Sequence, residues 1–455
     1  MKYKTKEELS AFYSGRVDEL SAEVRQLKKN NIMYIMAELF SFGLAIVAVV
    51  VYCAGGFASQ WLMAALAMLA VYAVVRKADI KNAGKIDRRT RLLTVYGKEL
   101  QYMRGDLSCF GGGSRYKDPR HAFTFDMDVF GHDSLYNRIN RTVTTGGGDV
   151  LARWLGGLLP GKADVERRRA AIDELAGLEK WRSAFLAKGI NTMAEGGKDA
   201  GKIDSNEILR AVGDIGKKQI APKAGLKTTL TAAAAAMACF ITLIVLALTG
   251  VVPATVAVLW GVVQMFAVIG LNSKSIHYIS RAVEKLHAHM HAYIGLIRHI
   301  DKASFASNEL KSLQAALAEG GGGALASFGQ LSEILKSLDR RGNFIGLVLF
   351  NMFAMSDYFL VRRFLKWQRL YMGSIGEWVD AVSKMDALVS MAGFRFNEPK
   401  AVDAEVTGSD KVEYDARGLY HPFLGDKAVR NDFTINDGEY YIITGANMAG
   451  KSTFL

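Results

Sequence analysis

The sequence predicts a mainly α chain: two transmembrane helical hairpins set into a helical domain, followed by the start of an α/β phosphate-binding domain. Three observations predict it. Four long apolar runs come in two pairs, each pair joined by a short uncharged turn. Proline is scarce, 6 in 455 residues, so long helices can run unbroken. Near the C-terminal end a β-branched and aromatic run, Tyr440–Thr444, leads into a glycine-rich loop that closes on Gly450-Lys451-Ser452.

Composition narrows the class. Half of the residues are hydrophobic, and the net charge is +12. That excess suggests an anionic partner, nucleic acid or lipid headgroups. Cys53, Cys109 and Cys239 show no metal spacing and no disulfide framework. Cys53 and Cys239 lie in apolar runs, where buried inert thiols are expected, and a reducing compartment fits.

Residues 1–31 are polar and basic, with Leu9, Phe12, Arg16, Leu20 and Val24 near helical spacing. No short apolar stretch with a cleavage site is present, so they do not read as a signal peptide. Residues 32–75 form the first hairpin. Ile32–Ala54 is apolar apart from Glu38, and Phe57–Val75 follows the Gly55-Gly56 turn. At 1.5 Å per residue about 23 residues reach roughly 35 Å, enough to cross a bilayer core. Residues 230–271 form the second hairpin, Leu230–Thr249 and Val251–Leu271, hinged at Gly250 and Pro253. Two buried hairpins of a soluble core are the competing reading. Lys28, Lys29, Arg76, Lys77, Lys81, Lys85, Lys217, Lys218, Lys223, Lys227, Lys274 and Arg281 flank the spans on one side, and the turns carry no charge. The positive-inside rule then puts both termini and all large segments in the cytoplasm, in an integral protein of the cytoplasmic membrane. Glu38 lies within two turns of its span's start, so a structural role is favoured over a functional one.

Residues 76–396 outside the second hairpin form the helical domain. Phe123–Gly131 reads as a strand-like segment, and Gly146–Gly148 as a tight reversal between helices. Val165–Arg169 leads into a helix over Ala170–Phe185. Ser273–Ile300 continues the fourth span as one long helix. On it His287 and His291 stand one turn apart, but no acidic or cysteine ligand accompanies them, and a solvated face is expected. Glu309–Leu338 is helical, with an elbow at Gly320–Gly323 expected to be flexible. Phe344–Met355 is strongly apolar but too short to span, which suits a buried core helix. Tyr358–Phe394 reads as one amphipathic helix. Asn397–Asp410 is a polar linker, and 397–455 starts the nucleotide-binding domain, with strands from Val412.

Gly445-Ala446-Asn447-Met448-Ala449-Gly450-Lys451-Ser452 is G-x-x-x-x-G-K-S after an expected strand. Glycines let successive N–H groups turn toward phosphates. Lys451 would reach the β- and γ-phosphates of ATP, and the Ser452 hydroxyl would ligate Mg²⁺. With Thr444 and Thr453 added, the segment closely resembles the T-G-P-N-M-G-G-K-S-T signature of the MutS family of DNA mismatch-repair ATPases; Ala446 and Ala449 depart from it. Tyr420-His421-Pro422-Phe423 looks like that family's His-Pro element. Phe123–Phe185 resembles the opening of its core domain, and Trp378–Ala392 its lever helix. Between these stretches the match is weak.

The resemblance implies an ATP site made of Gly445, Ala446, Asn447, Met448, Ala449, Gly450, Lys451, Ser452 and Thr453, with Val429 on the adenine or else in a core. It implies a homodimer with ATP between two nucleotide domains, and DNA as a partner. Arg138, Arg141, Arg153 and Arg167-Arg168-Arg169 are the arginines that phosphate contact would use; solvated helix faces are the competing reading, and lipid headgroups would also explain some of the charge near the spans. The family's mismatch-reading domain has no counterpart here. Phe396-Asn397-Glu398 carries the letters of its Phe-x-Glu wedge but falls in the linker, as chance would place it. The acidic and signature segments of such an ATPase do not occur before Leu455, so no catalytic residue is named, and a fragment is one expectation. The resulting reading is a membrane-anchored MutS-like ATP-binding protein. The alternatives are a transporter-like or membrane-remodelling ATPase, or an inactive truncated product.

Overall fold

The computed structural model describes residues 5–158, 161–190, 201–217, 227–341, 343–407, 411, 413–421, 424, 428–446 and 450–454. It is mainly α, with 74% helix and 3% strand. Two units divide it: Met1–Leu158 with Arg167–Ala401, and Leu159–Glu166 with Val402–Leu455.

The larger unit opens on two long antiparallel helices, α1 (Lys6–Ala54) and α2 (Ser59–Met103). Thr5 caps α1 by accepting from the Glu8 N–H at 3.2 Å. At 49 residues α1 runs about 73 Å, more than twice a bilayer core. One half buries Leu9, Tyr13 and Leu20 in the helical core, whereas the other leaves Ile32, Leu39, Phe40 and Val50 bare. Small residues are buried where the apolar parts of the two helices meet, Ser41, Ala45 and Ala48 on α1 and Ala65 on α2, so the two backbones can approach closely.

Three short helices follow, α3 (Leu135–Ile139), α4 (Thr145–Gly156) and α5 (Lys162–Gly177). Then come α6 (Glu179–Gly189), α7 (Ser205–Lys217), α8 (Lys227–Leu248) and α9 (Ala254–Asp301). The last five helices of the unit are α10 (Asn308–Ala318), α11 (Gly323–Arg341), α12 (Phe344–Ala354), α13 (Ser356–Tyr371) and α14 (Ile375–Asn397). As expected, α9 runs from the fourth apolar run into the core without a break. Helices α1, α2, α8 and α9 are each long and apolar enough to cross a membrane. The core around α14 is dense: Trp367, Trp378, Tyr96 and Phe364 are fully buried.

Several sequence expectations need correction. Phe123–Gly131 is a chain of turns, fastened where His121 Nδ1 accepts from the Phe123 and Thr124 N–H groups. Gly146–Gly148 is the first turn of α4, capped by Thr144, rather than a reversal. The glycines serve close packing: a Cβ at Gly147 would come within 2.2 Å of the Asp386 carboxylate. Ala170–Phe185 is broken at Leu178, after Gly177, into α5 and α6. Tyr358–Phe394 is broken at Met372–Ser374, around Gly373, into α13 and α14. The Gly320–Gly323 elbow has positive φ at all four glycines, and it is pinned. Tyr371 donates its hydroxyl to the Gly321 carbonyl at 3.0 Å, and the Trp378 indole donates to the Glu319 carbonyl. Helix α12 is not a core helix, because only Asn351 on it is buried. Cys53 and Cys239 are exposed rather than buried, since the helices that carry them are covered on one side only.

The smaller unit holds two antiparallel strands, β1 (Glu413–Leu419) and β2 (Asn431–Asn436), with an irregularity between Ala416 and Leu419. A four-residue helix, α15 (Lys451–Phe454), closes the described chain. The expected strand Tyr440–Thr444 forms no ladder among the described residues, where β1 and β2 pair only with each other. A strand exists through its ladder hydrogen bonds, so this run is not one in the described structure.

Candidate functional site

The phosphate-loop sequence lies between the unpaired run and α15. Phe433 on β2 anchors both sides of it, with its ring centroid 5.3 Å from Tyr441 and 5.4 Å from Phe454. Gly450 takes φ +86°, a conformation that strains any side chain, so the glycine before the lysine is a backbone requirement. Lys451 folds back over the loop. Its Nζ donates to the Ala446 carbonyl at 2.8 Å and to the Gly445 carbonyl. The ammonium is thus held at the loop by weak neutral acceptors rather than by a carboxylate.

These described parts fit a phosphate group: a cation on a long side chain, tethered to the Gly445 and Ala446 carbonyls, and a glycine in the left-handed conformation just before it. Asn447, Met448 and Ala449 lie outside the described residues, as do the Ser452 and Thr453 side chains, so the Mg²⁺ expectation at Ser452 falls there too. Among the described residues no three His, Cys, Asp or Glu side chains gather where they could hold a metal ion. Val429 is 78% exposed, which removes the reading of an ordinary core valine. Beside it the Arg430 guanidinium sits 4.5 Å over the Tyr420 ring.

The arginines expected to meet DNA divide sharply. Arg141 is buried and pairs with Glu99 at 3.0 Å through both Nε and Nη2, between the rings of Tyr102 and Phe110. Burial alone would lower its pKa, but the facing Glu99 carboxylate, with Tyr102 and Tyr13 beside it, more than offsets that and raises it. Arg141 is therefore structural and unavailable to a nucleic acid. Arg167 pairs with Glu309 at 2.9 Å, and Arg168 stacks over Trp154 at 3.8 Å. Arg153 is exposed.

The remaining candidates are absorbed by packing. Phe396 and Asn397 end α14 instead of lying in a linker. Asn397 donates to Glu99 at 2.7 Å and accepts from the Tyr13 hydroxyl at 2.7 Å. Glu398 accepts from Tyr102 and Lys6. The His299 ring stacks on Trp181, 4.8 Å between centroids, and burial lowers its pKa. The His291 side chain lies outside the described residues. Glu38 pairs with Arg76 at 3.3 Å through one carboxylate oxygen, and the other is buried without a hydrogen-bond partner among the described residues.

Sequence reasoning missed a buried polar seam along α14. Ser383, Asp386, Ser390 and Asn397 fall at i, i+3, i+7 and i+14, one stripe of the helix, and all four are buried. Asp386 accepts from the Thr144 N–H at 2.8 Å, the Thr144 hydroxyl at 2.7 Å and the Val143 N–H at 3.1 Å. Ser390 accepts from the Arg141 N–H and donates to the Ile139 carbonyl, both at 2.7 Å. Burial pushes the Asp386 carboxyl up to about 6, and the Thr144 and Val143 donors oppose the rise. The signal was available: a polar residue on three successive turns of an otherwise apolar stripe, and a fourth two turns later.

Fold and site together define a mainly α protein with four helices long and apolar enough to cross a membrane and a lysine-closed glycine loop in a separate unit. No protein-family model, curated protein or solved structure matches the chain.

Proposed function

We propose that this protein is a membrane-anchored, MutS-like ATP-binding protein whose phosphate loop is residues 445–453. One observation carries the reading: the sequence Thr444-Gly445-Ala446-Asn447-Met448-Ala449-Gly450-Lys451-Ser452-Thr453, together with Lys451 turned back over its own loop. The Gly445–Gly450 backbone amides and Lys451 would hold the ATP phosphates. Ser452 would take the Mg²⁺, which when bound neutralises phosphate charge. Val429, bare on the surface of the same unit, is free to pack on an adenine. Lysine held by carbonyls is cheap to redirect, because an anion is a stronger partner for an ammonium than a neutral oxygen.

The four apolar helices anchor the chain in the cytoplasmic membrane, with both termini and the helical domain on the cytoplasmic side. The basic flanks support that orientation. By the same resemblance two copies pair around ATP, and DNA is the anionic partner that the +12 charge would serve. Of the named arginines Arg153 and Arg167 are exposed, and Arg167 pairs with Glu309, which leaves Arg153 the better placed of the two.

The test is a Mg-ATP titration of the detergent-solubilised chain, read by thermal shift. Saturable stabilisation by Mg-ATP, weakened about 10- to 100-fold by Lys451→Ala as loss of a charge-assisted bond requires, is the expected result. No stabilisation of the unsubstituted chain at millimolar nucleotide would sink the proposal. Duplex DNA retained at low salt and released as salt rises would extend it to nucleic acid; no retention at low salt would remove DNA as the partner.

A further inference from the structure

Helix α12, FIGLVLFNMFA, holds no charged residue. In a water-soluble domain such a helix sits in the core. Here Phe344 is 77% exposed and Ile345 65%, and Leu349, Phe350 and Phe353 are exposed as well. At 11 residues it reaches about 16 Å, half of a bilayer core, so it cannot cross one. Its axis turns 83° from that of α13.

The covered side of α12 shows what surrounds it. Met352 seats against Gly261 of α9, where a Cβ would come within 2.8 Å of its Cε. The Gln264 side chain donates to the Met352 carbonyl at 3.1 Å. The rings of Phe353 and Phe240 of α8 stand 5.7 Å apart. Gly261, Gln264 and Phe240 all lie inside the apolar stretches of the second hairpin, away from its basic flanks. The bare face of α12 therefore continues the bare apolar band of α8 and α9.

The two ends of α12 return to one place. Arg341, just before it, pairs with the buried Asp357, just after it, at 3.0 Å. The Asp357 N–H donates to Asn351 at 2.9 Å. Tyr358 meets Thr229 at the basic start of α8. Arg340 and Arg341 precede the helix, and Arg362, Arg363, Lys366 and Arg369 follow it on α13. That charge pattern suits a headgroup layer at both ends and acyl chains between them.

We propose that α12 is a membrane-embedded half-helix, seated in one leaflet against the second hairpin, with lipid acyl chains covering its exposed face. The chain enters and leaves the leaflet on the basic side. The helix that leads to α14 is thereby fastened to the bilayer as well as to the core. This rests on the proposed membrane reading of the four long helices.

The test is spin-label accessibility in lipid bilayers, with Cys53, Cys109 and Cys239 replaced by alanine. Labels go on Phe350→Cys and Leu349→Cys of α12, on Val258→Cys of α9 and on Arg153→Cys of α4. The expected result is that the α12 and Val258 labels collide with oxygen and lose the collision signal of an aqueous nickel chelate, whereas the Arg153 label gains it. A Val258 label that reads as aqueous overturns the membrane reading itself. A lipid-exposed Val258 label with aqueous α12 labels overturns the inference alone, as do α12 labels reached by neither reagent, which would place a protein partner there. Carbene photolabelling of the unsubstituted chain from the acyl region guards against misfolded variants. Label found on residues 32–54 but not on 344–353 also overturns the inference.

Discussion

Arg141 and Lys451 show how differently the two units answer a positive charge. In the helical unit the guanidinium is buried, paired through two nitrogens with Glu99 and enclosed by two rings. In the smaller unit the ammonium is held by backbone carbonyls, partly exposed and close to an unpaired strand. The first arrangement is complete in itself and has nothing left to offer a ligand. The second satisfies its cation with neutral oxygens alone, as the proposed phosphate loop would require. A charge committed to the fold and a charge left easy to redirect can be told apart by what holds them.

The largest way to break this comparison is to remove the partner of the buried cation. Glu99→Ala leaves Arg141 and Asn397 facing an apolar core, and the expected cost is about 3–5 kcal/mol of stability. Chemical denaturation of the solubilised chain measures it. A cost below about 1 kcal/mol, the range of surface pairs, would mean that water reaches this place and that Arg141 is no different in kind from Arg153.

Asp386 sharpens the comparison by pH. Its folded pKa, about 6, lies above the ordinary carboxylate value of 3.8. Between those values the folded chain binds the proton that the unfolded chain has released. Stability is therefore full below about pH 4, falls as pH rises to about 6, and is flat above; the gap between the two pKa values corresponds to about 3 kcal/mol. Melting curves at pH 4 and 6.5 for the parent and for Asp386→Asn isolate the effect, because other groups titrate alike in both. Equal slopes for the two chains would show that Asp386 does not carry it.

How much of this is legible in the sequence follows the same division. The glycine-loop motif can be read as a pattern because it is local, with Gly445, Gly450 and Lys451 at fixed spacing and no distant partner needed; of its described parts the structure adds the left-handed Gly450 and the Lys451 bonds to Gly445 and Ala446. The four apolar helices are legible because length and composition suffice. Arg141 is not, since an arginine's fate depends on Glu99 42 positions away, and no local spacing reports that. Helix α12 escapes for a related reason. Its length excludes a span, and burial in a core is the remaining soluble solution; an exposed apolar half-helix against a hairpin requires knowing what α9 presents at Gly261. The seam of Ser383, Asp386, Ser390 and Asn397 is visible as a periodicity but gives no hint of its partners on α4 and α2.

Lys451→Ala tests the other half of the comparison. It should cost ATP affinity, as set out above, while leaving the denaturation midpoint of the helical unit unchanged, because among the described residues Lys451 bonds to Gly445 and Ala446 of its own loop. A shifted midpoint for the helical unit would show that the loop lysine has a structural duty, and the contrast with Arg141 would collapse.

The smallest effect is expected at Arg76, a cation answered in a third way. It lies at the basic end of the second apolar run, half exposed, and pairs with Glu38 at 3.3 Å and Asp79 at 3.4 Å. Its geometry is looser than that of Arg141, and its exposure lets solvent or headgroups replace either carboxylate. Glu38→Gln keeps the side chain's shape and removes its charge, so the expected change is under about 1 kcal/mol. Melting in detergent, with and without added salt, measures it. A loss as large as that of Glu99→Ala would mean that this pair is held as tightly as the core holds Arg141, and that the largely buried Glu38, rather than the half-exposed Arg76, sets its strength.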